Sequence, residues 1–215
     1  MKDYDAYLFD WDGTVAQTLA MWLSIVQETL RAYGIDADDK DVVRKVFGRT
    51  KVGLLELGVP EADFVNVFQK WDKQAQAAIV KVPLYPGFRD AAQALRQRDK
   101  HLAVITATVR PTLHLALTAH GLADTFNAIV AGGEAEDKPN PDGLLQALER
   151  LDVPKERAIM LGDSEKDIRA AHNAGIDSVL FYPDGHELFH VLADLQMDKP
   201  THTINSWQEF IDRVQ

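Results

Sequence analysis

The chain contains no cysteine among its 215 residues. That removes disulfides, thiol nucleophiles and thiolate-bound metals together. Long apolar runs are also missing: no stretch approaches the 18 apolar residues that a membrane span needs. The amino terminus, MKDYDAYLFD, lacks the basic start and apolar stretch of a signal peptide. Positive charge is scarce. Lys and Arg number 23 against 33 Asp and Glu, a formal net charge of −10. Such a surface repels phosphate backbones and anionic lipid, so neither nucleic acid nor a membrane is expected as partner. A small anionic substrate stays compatible if a cation sits in the site. The expected setting is the cytoplasm, as a monomer or homodimer. Hydrophobic residues make up 46% of the chain and charged residues 26%, which excludes disorder, collagen and coiled coil as whole-chain descriptions.

What is present is an alternation of strands and helices. Residues 4–9 read as a short buried strand running into the polar turn Asp10-Trp11-Asp12-Gly13-Thr14. Leu19, Trp22, Leu23, Val26 and Leu30 have helical spacing, and Gly34 ends that helix. Residues 36–80 offer no strand, only helical patterns broken near Gly48 and at Gly58-Val59-Pro60. Phe64, Val67, Phe68, Trp71 and Ala75 form one apolar helical stripe, read as core packing. Beyond Val82-Pro83 the rhythm changes. Strands are expected at 101–106, about 128–131, 157–161 and 178–181, with helices after Gly87 and Pro111 and at about 141–150 and 165–174. This pattern implies an α/β fold, a Rossmann-like parallel sheet flanked by helices. Residues 1–15 and 83–215 would form that core, and residues 16–82 an all-helical cap inserted after the first strand.

Four polar clusters each follow or adjoin a predicted strand, and carboxyl ends of strands in such a sheet converge on one crevice. Strand one delivers Asp10 and Asp12, strand two Thr106, and the fourth Asp163 followed by Asp167. Lys138 lies in a loop before a helix. Singly, each is an ordinary turn or cap signal; in this order they point to chemistry. Two carboxylates close together need a cation or proton between them. With Asp163 as a third, the set suits Mg2+, a hard ion that takes oxygen ligands. One carboxylate can attack phosphorus, giving an aspartyl-phosphate. The other can protonate the leaving oxygen and then deprotonate a water. Lys138, Thr106 and backbone N–H groups at residues 12, 13 and 107 would bind the phosphoryl oxygens, which makes Gly13 and Ala107 candidate phosphate-binding positions.

DWDGT at 10–14, VITAT at 104–108, KPNPD at 138–142 and GDSEKDI at 162–168 resemble the four motifs of the haloacid dehalogenase-like hydrolases. The tract EDKPNPDGLLQALERL, followed by MLGDSEKDIRAAHNAGI, is similar to the phosphoglycolate phosphatase and β-phosphoglucomutase branch, whose helical cap would explain the insert. The resemblance implies Asp10 as nucleophile and metal ligand. It implies Asp12 as acid and base, binding metal through its backbone oxygen. Thr106 and Lys138 would hold the phosphoryl group, and Asp163 would bind Mg2+ with Asp167 in support. Within the family, Asp12 argues against dehalogenation and against phosphonate cleavage. Thr14 is the phosphatase-like choice, where mutases usually carry Val. The expectation is therefore an Mg2+-dependent phosphatase, a phosphoric monoester hydrolase acting on a small phosphorylated metabolite. A phosphosugar mutase or a non-catalytic binding protein on the same scaffold is the alternative. Phosphoglycolate, pyrophosphate, a nucleotide and a sugar phosphate all fit. The family often reads DGTLVDS where this chain reads DGTVAQT, so Gln17 replaces the usual acidic residue near the cap hinge.

Further signals are weighed beside these. Arg49, in the cationic segment 47–51, is a candidate contact for an anionic or hydroxylated leaving group. Trp11 is read as a packing residue, with a wall of the site as the other reading. His186 to His190 matches H-E-x-x-H, which on a helix would put both histidines on one face with Glu209 as a conceivable third zinc ligand. With no large cleft domain left over, that match is set aside as chance. His101, His114, His120, His172 and His202 are scattered singly. Gly132-Gly133, with no GK[ST] after it, is read as a turn before the Lys138 loop.

Overall fold

The computed structural model describes residues 1–47 and 49–214, so the helix break expected near Gly48 lies outside the described residues. The chain opens with β1 (Ala6–Phe9), followed by four helices, α1 (Leu19–Ala32), α2 (Asp39–Val46), α3 (Thr50–Leu57) and α4 (Phe64–Ile79). Then come α5 (Phe88–Arg96), β2 (His101–Val109), α6 (Arg110–Ala119), β3 (Ala128–Gly132), α7 (Asp142–Leu151), β4 (Ala158–Gly162) and α8 (Glu165–Ala174). β5 (Asp177–Phe181), α9 (Leu192–Met197), β6 (His202–Ile204) and α10 (Trp207–Val214) complete it.

Among the described residues the sheet has six strands in the order β3-β2-β1-β4-β5-β6, and every pairing is parallel. The strands read as continuous apolar runs because helices cover both faces. Alternation along β1 divides the core. Tyr7 and Phe9 face a cluster with Phe88, Leu113, Trp207 and Phe210, while Ala6 and Leu8 face one with Leu144, Leu148, Ala170 and Ala171. Trp11 is fully buried in the first cluster, as a packing residue.

The sequence reading is short by one strand. β6 has three residues and pairs only with β5 at the sheet edge. The strand of 101–106 runs on to Val109, with an irregularity between Ile105 and Val109 where the register against β3 shifts. The segment 186–190 is not an α-helix. His186–Leu188 is a single 3-10 turn, and α9 begins only at Leu192.

Helices α1 to α4 pack on one another around a core of their own, with Leu30, Val42, Leu54, Val67, Trp71 and Ala75 at its centre. Of the predicted α4 stripe, Phe64, Val67, Trp71 and Ala75 are buried, whereas Phe68 stays half-exposed. The two crossings between this unit and the sheet lie side by side. Ala16 bridges Leu84, Gln17 N–H donates to the Pro83 carbonyl (2.9 Å), and the Gln17 side-chain amide donates to the Leu84 carbonyl (3.0 Å). Gln17 therefore ties the two crossings together by neutral hydrogen bonds, a task that asks for a donor an acidic residue does not have. Among the described residues no helix is long and apolar enough to cross a membrane.

Candidate active site

Asp10 follows the last residue of β1, and its N–H donates to the Leu161 carbonyl at 2.9 Å, which continues the strand ladder by one residue. The chain then turns tightly. Val15 and Ala16 N–H both donate to the Trp11 carbonyl, and Gly13 N–H donates to the Ala16 carbonyl at 3.0 Å. Gly13 has φ +77°, and a Cβ placed there would lie 2.2 Å from Asp163 Oδ2. Glycine is required twice over, by the backbone angle and by the carboxylate pressed against it. Gly13 N–H, the candidate phosphate donor, closes the turn in this structure. Ala107 is exposed on the cavity beside Asp12.

Asp10, Asp163 and Asp167 are all buried, and one oxygen from each lies within 4.8 Å of the others. The Lys138 ammonium enters from its loop. It donates to Asp10 Oδ1 at 2.7 Å, to Asp167 Oδ1 at 2.5 Å and to the Ile105 carbonyl at 3.1 Å. All three of its protons are thereby used. Burial acts to lower the lysine, but the charges of Asp10 and Asp167 outweigh it and hold Lys138 firmly protonated. Burial pushes the Asp10 carboxyl well above its usual range; Lys138 opposes this, and Asp167, Asp163 and Asp12 reinforce it. Asp167 also accepts from Ser164 N–H (3.1 Å) and Ser164 Oγ (2.6 Å), a reciprocal cap at the start of α8. Gly162 makes room for it, since a Cβ there would lie 2.2 Å from Asp167 Cγ.

Asp12 points away from this cluster. Its Oδ1 accepts from Trp22 Nε1 at 2.7 Å. Its Oδ2 accepts from Thr108 Oγ1 at 2.7 Å and Thr106 Oγ1 at 3.3 Å. Thr106 in turn accepts from Thr108 N–H at 3.0 Å. The two aspartates of DWD, two residues apart, therefore sit in different surroundings: one buried on an ammonium, the other half-buried among neutral donors.

Asp163 accepts from Thr14 Oγ1 (3.3 Å) on Oδ1 and is hydrogen-bonded through Oδ2 to His190 Nε2 (3.0 Å). Burial acts to raise Asp163, but His190 and the other nearby cations hold it below the usual carboxylate range. His186 lies beneath, buried, with Nε2 2.6 Å from the Tyr85 hydroxyl. The two histidines of the H-E-x-x-H match thus do reach one site, brought there by an irregular loop after β5.

Arg49 is not part of this assembly. Its exposed guanidinium is held by Glu56 at 2.7 Å, and it does not line the cavity next to Asp12. Sequence reasoning did not single out Thr108 or Trp22, and it weighed His190 only as a zinc ligand on a helix. Thr108 lies inside the VITAT motif, two residues beyond Thr106, and is more accessible to sequence reading than Trp22. Trp22 reads as one member of an apolar helical stripe.

A profile of the haloacid dehalogenase-like hydrolases matches residues 7–181. The chain belongs to this hydrolase family. Its relatives include Protein CbbY of Cereibacter sphaeroides, 30% identical over 191 residues covering 82% of this chain and 83% of that protein. Phosphoglycolate phosphatase of Aquifex aeolicus is 27% identical and spans 92% of this chain and 93% of its own length. The crystal structure of CbbY from Rhodobacter sphaeroides in complex with phosphate superposes with a TM-score of 0.80 at 27% identity, covering 96% of each chain. In this hydrolase the matched span runs from Tyr7 in β1 to the end of β5, and takes in every acidic residue of the cluster around Lys138.

Proposed function

We propose that this hydrolase cleaves small phosphomonoesters with the aid of Mg2+, in two steps that pass through a phosphoryl group carried on Asp10. The observation that carries the reading is the division of labour between Asp10 and Asp12. Lys138 grips Asp10 Oδ1 at 2.7 Å, which fixes the carboxylate and leaves its second oxygen to attack phosphorus in line with the departing alcohol. As the new bond from Asp10 to phosphorus forms, the ester bond breaks. Asp12, oriented by Trp22 and Thr108, delivers a proton to the leaving oxygen. Once the alcohol has gone, Asp12 takes a proton from a water whose oxygen attacks phosphorus. The bond to Asp10 then breaks, inorganic phosphate leaves, and both aspartates return to their starting protonation.

The residues present fit a divalent cation. Three buried carboxylates stand against a single lysine, and their oxygens suit a hard ion. Asp10, Asp163 and the Asp12 carbonyl would hold it with Asp167 in support, and when bound it supplies positive charge to the phosphoryl oxygens. In this reading the Thr106 hydroxyl, which now donates to Asp12, and the Lys138 ammonium, which now donates to Asp10 and Asp167, would turn to the phosphoryl oxygens when substrate binds.

The test is phosphate release from a panel of small phosphomonoesters and pyrophosphate, with Mg2+ and with EDTA. The expected result is release in Mg2+ and none in EDTA. Equal release in both, or isomerisation of a sugar phosphate with little phosphate formed, would overturn the reading.

A further inference from the structure

Beside Asp12 lies a cavity of about 310 Å3 between the helical unit and the sheet. Its floor comes from Asp12 and from Ala107, Thr108 and Val109 at the end of β2. Its walls come from the helices, with Trp22, Phe47, Phe68 and Trp71 contributing most of the bulk. A leaving group protonated by Asp12 would depart into this space. The charges around it do not suit the phosphate ester of an acid. Among the described lining residues there is no Lys, Arg or His, and both charged side chains, Asp12 and Asp72, are acidic. The indole N–H groups are already committed, Trp22 to Asp12 and Trp71 to Thr29 Oγ1 at 2.7 Å. Lys45, Arg49, Lys51, Lys70, Lys73 and Arg110 adjoin lining residues in sequence, yet none of them lines the cavity; Arg49 is turned to Glu56 and Arg110 to Glu134. A carboxylate or second phosphate placed here would be stripped of water without a partner and would face Asp72. An apolar body would gain contact with four aromatic rings.

We propose that the alcohol released by this hydrolase is uncharged and apolar, so that phosphate esters of apolar primary alcohols are preferred over phosphoglycolate and pyrophosphate. The proposal rests on the phosphomonoesterase reading above. It sets this chain apart from relatives named for phosphoglycolate, whose leaving group bears a carboxylate. Burial raises the Asp72 carboxyl, as it would beside aromatic walls with no cation at hand. Specificity would then come from shape and from the exclusion of anions, while the phosphoryl group is handled by Lys138 and the carboxylate cluster.

The experiment compares kcat/KM for phosphate release from benzyl phosphate, hexyl phosphate, phosphoglycolate and pyrophosphate at saturating Mg2+. The organic esters all expel a primary alkoxide, so differences among them report the pocket. Benzyl or hexyl phosphate should exceed phosphoglycolate at least tenfold. Parity, or a preference for phosphoglycolate or pyrophosphate, overturns the proposal and leaves the phosphatase reading standing. Absence of Mg2+-dependent release from every compound, in protein with a native circular-dichroism spectrum, overturns both. Asp72→Lys, at a half-buried site, should move the benzyl-to-phosphoglycolate ratio at least tenfold toward phosphoglycolate, mainly through KM. Phe47→Ala should lower the same ratio from the other side, by removing apolar contact. A ratio unchanged in both folded variants would also overturn the proposal.

Discussion

Replacing Lys138 by Met removes the one ammonium that the buried carboxylates share while keeping a similar length of apolar side chain. In the native chain this ammonium lies 2.7 Å from Asp10 and 2.5 Å from Asp167. The side chains concerned are almost enclosed, at 11% exposure for Lys138 and Asp10 and 1% for Asp167. Removing one partner of a buried ion pair costs about 3–5 kcal/mol, chiefly because the other charge is left uncompensated. For a protein of this size, 1 kcal/mol moves the melting temperature by roughly 2–4 °C, so a fall of roughly 6–20 °C is expected. The assay is thermal unfolding in EDTA, followed by circular dichroism at neutral pH. The loss should depend on pH with a definite sign. Asp10 is already raised by burial with Lys138 opposing it, so without the ammonium it titrates higher still, and the fold binds more protons than the unfolded chain between the unfolded and folded values. Stability then falls as pH rises through that window, and the gap between variant and wild type is smaller at pH 5 than at pH 8. Adding Asp167→Asn to Lys138→Met should recover part of the loss, since it removes one of the stranded charges. A melting temperature within about 3 °C of wild type at pH 8, with all carboxylates in place, would refute the electrostatic account of this cluster.

Further outcomes follow from contacts nearby. Gly13→Ala forces a Cβ to within 2.2 Å of Asp163 Oδ2 in a residue with φ +77°. It should cost about 1–3 kcal/mol in denaturant unfolding and weaken Mg2+ activation, seen as a higher Mg2+ concentration at half-maximal rate. Trp22→Phe keeps an aromatic wall but deletes the 2.7 Å hydrogen bond to Asp12. Bonds to charged groups are worth about 1.5–3 kcal/mol, so the melting temperature should fall by roughly 3–12 °C, and the mis-set Asp12 should lower kcat roughly tenfold to a hundredfold at a temperature where the variant is folded. An unaltered kcat would mean that Trp22 does not orient Asp12.

The parts of this protein that can be read from sequence are those where a local pattern and a topological rule agree. The strands at β1, β2, β4 and β5 are continuous apolar runs, and Asp10, Thr106 and Asp163 stand at or near their carboxyl ends, where a parallel sheet brings residues together. Lys138 was legible by its motif, although its partners lie 128 and 29 residues away in the chain. β6 was not, because His202–Ile204 is three residues of mixed polarity whose strand character comes from pairing with β5. The match at His186–His190 misleads in one respect, since periodicity cannot distinguish an α-helix from a 3-10 turn followed by a loop. It is informative in another, because the loop carries His190 to Asp163. Arg49, a cation beside a helix break, pairs at the surface with Glu56, seven residues on, a partner that charge alone does not reveal. Conversely, Trp22, Phe68 and Trp71 look like core residues by spacing, and all three line the cavity next to Asp12.

The most direct test of the account is the Asp10→Asn variant, which keeps the size of the side chain and removes its capacity to attack phosphorus. Measured with Mg2+ on the best substrate of the wild-type enzyme, phosphate release should fall to background. The circular-dichroism spectrum should be unchanged, and no phosphorylated peptide containing residue 10 should appear after acid quench, where the wild type yields one. Phosphate release by the folded variant at a rate comparable with wild type would contradict the assignment of Asp10 as the group that carries the phosphoryl.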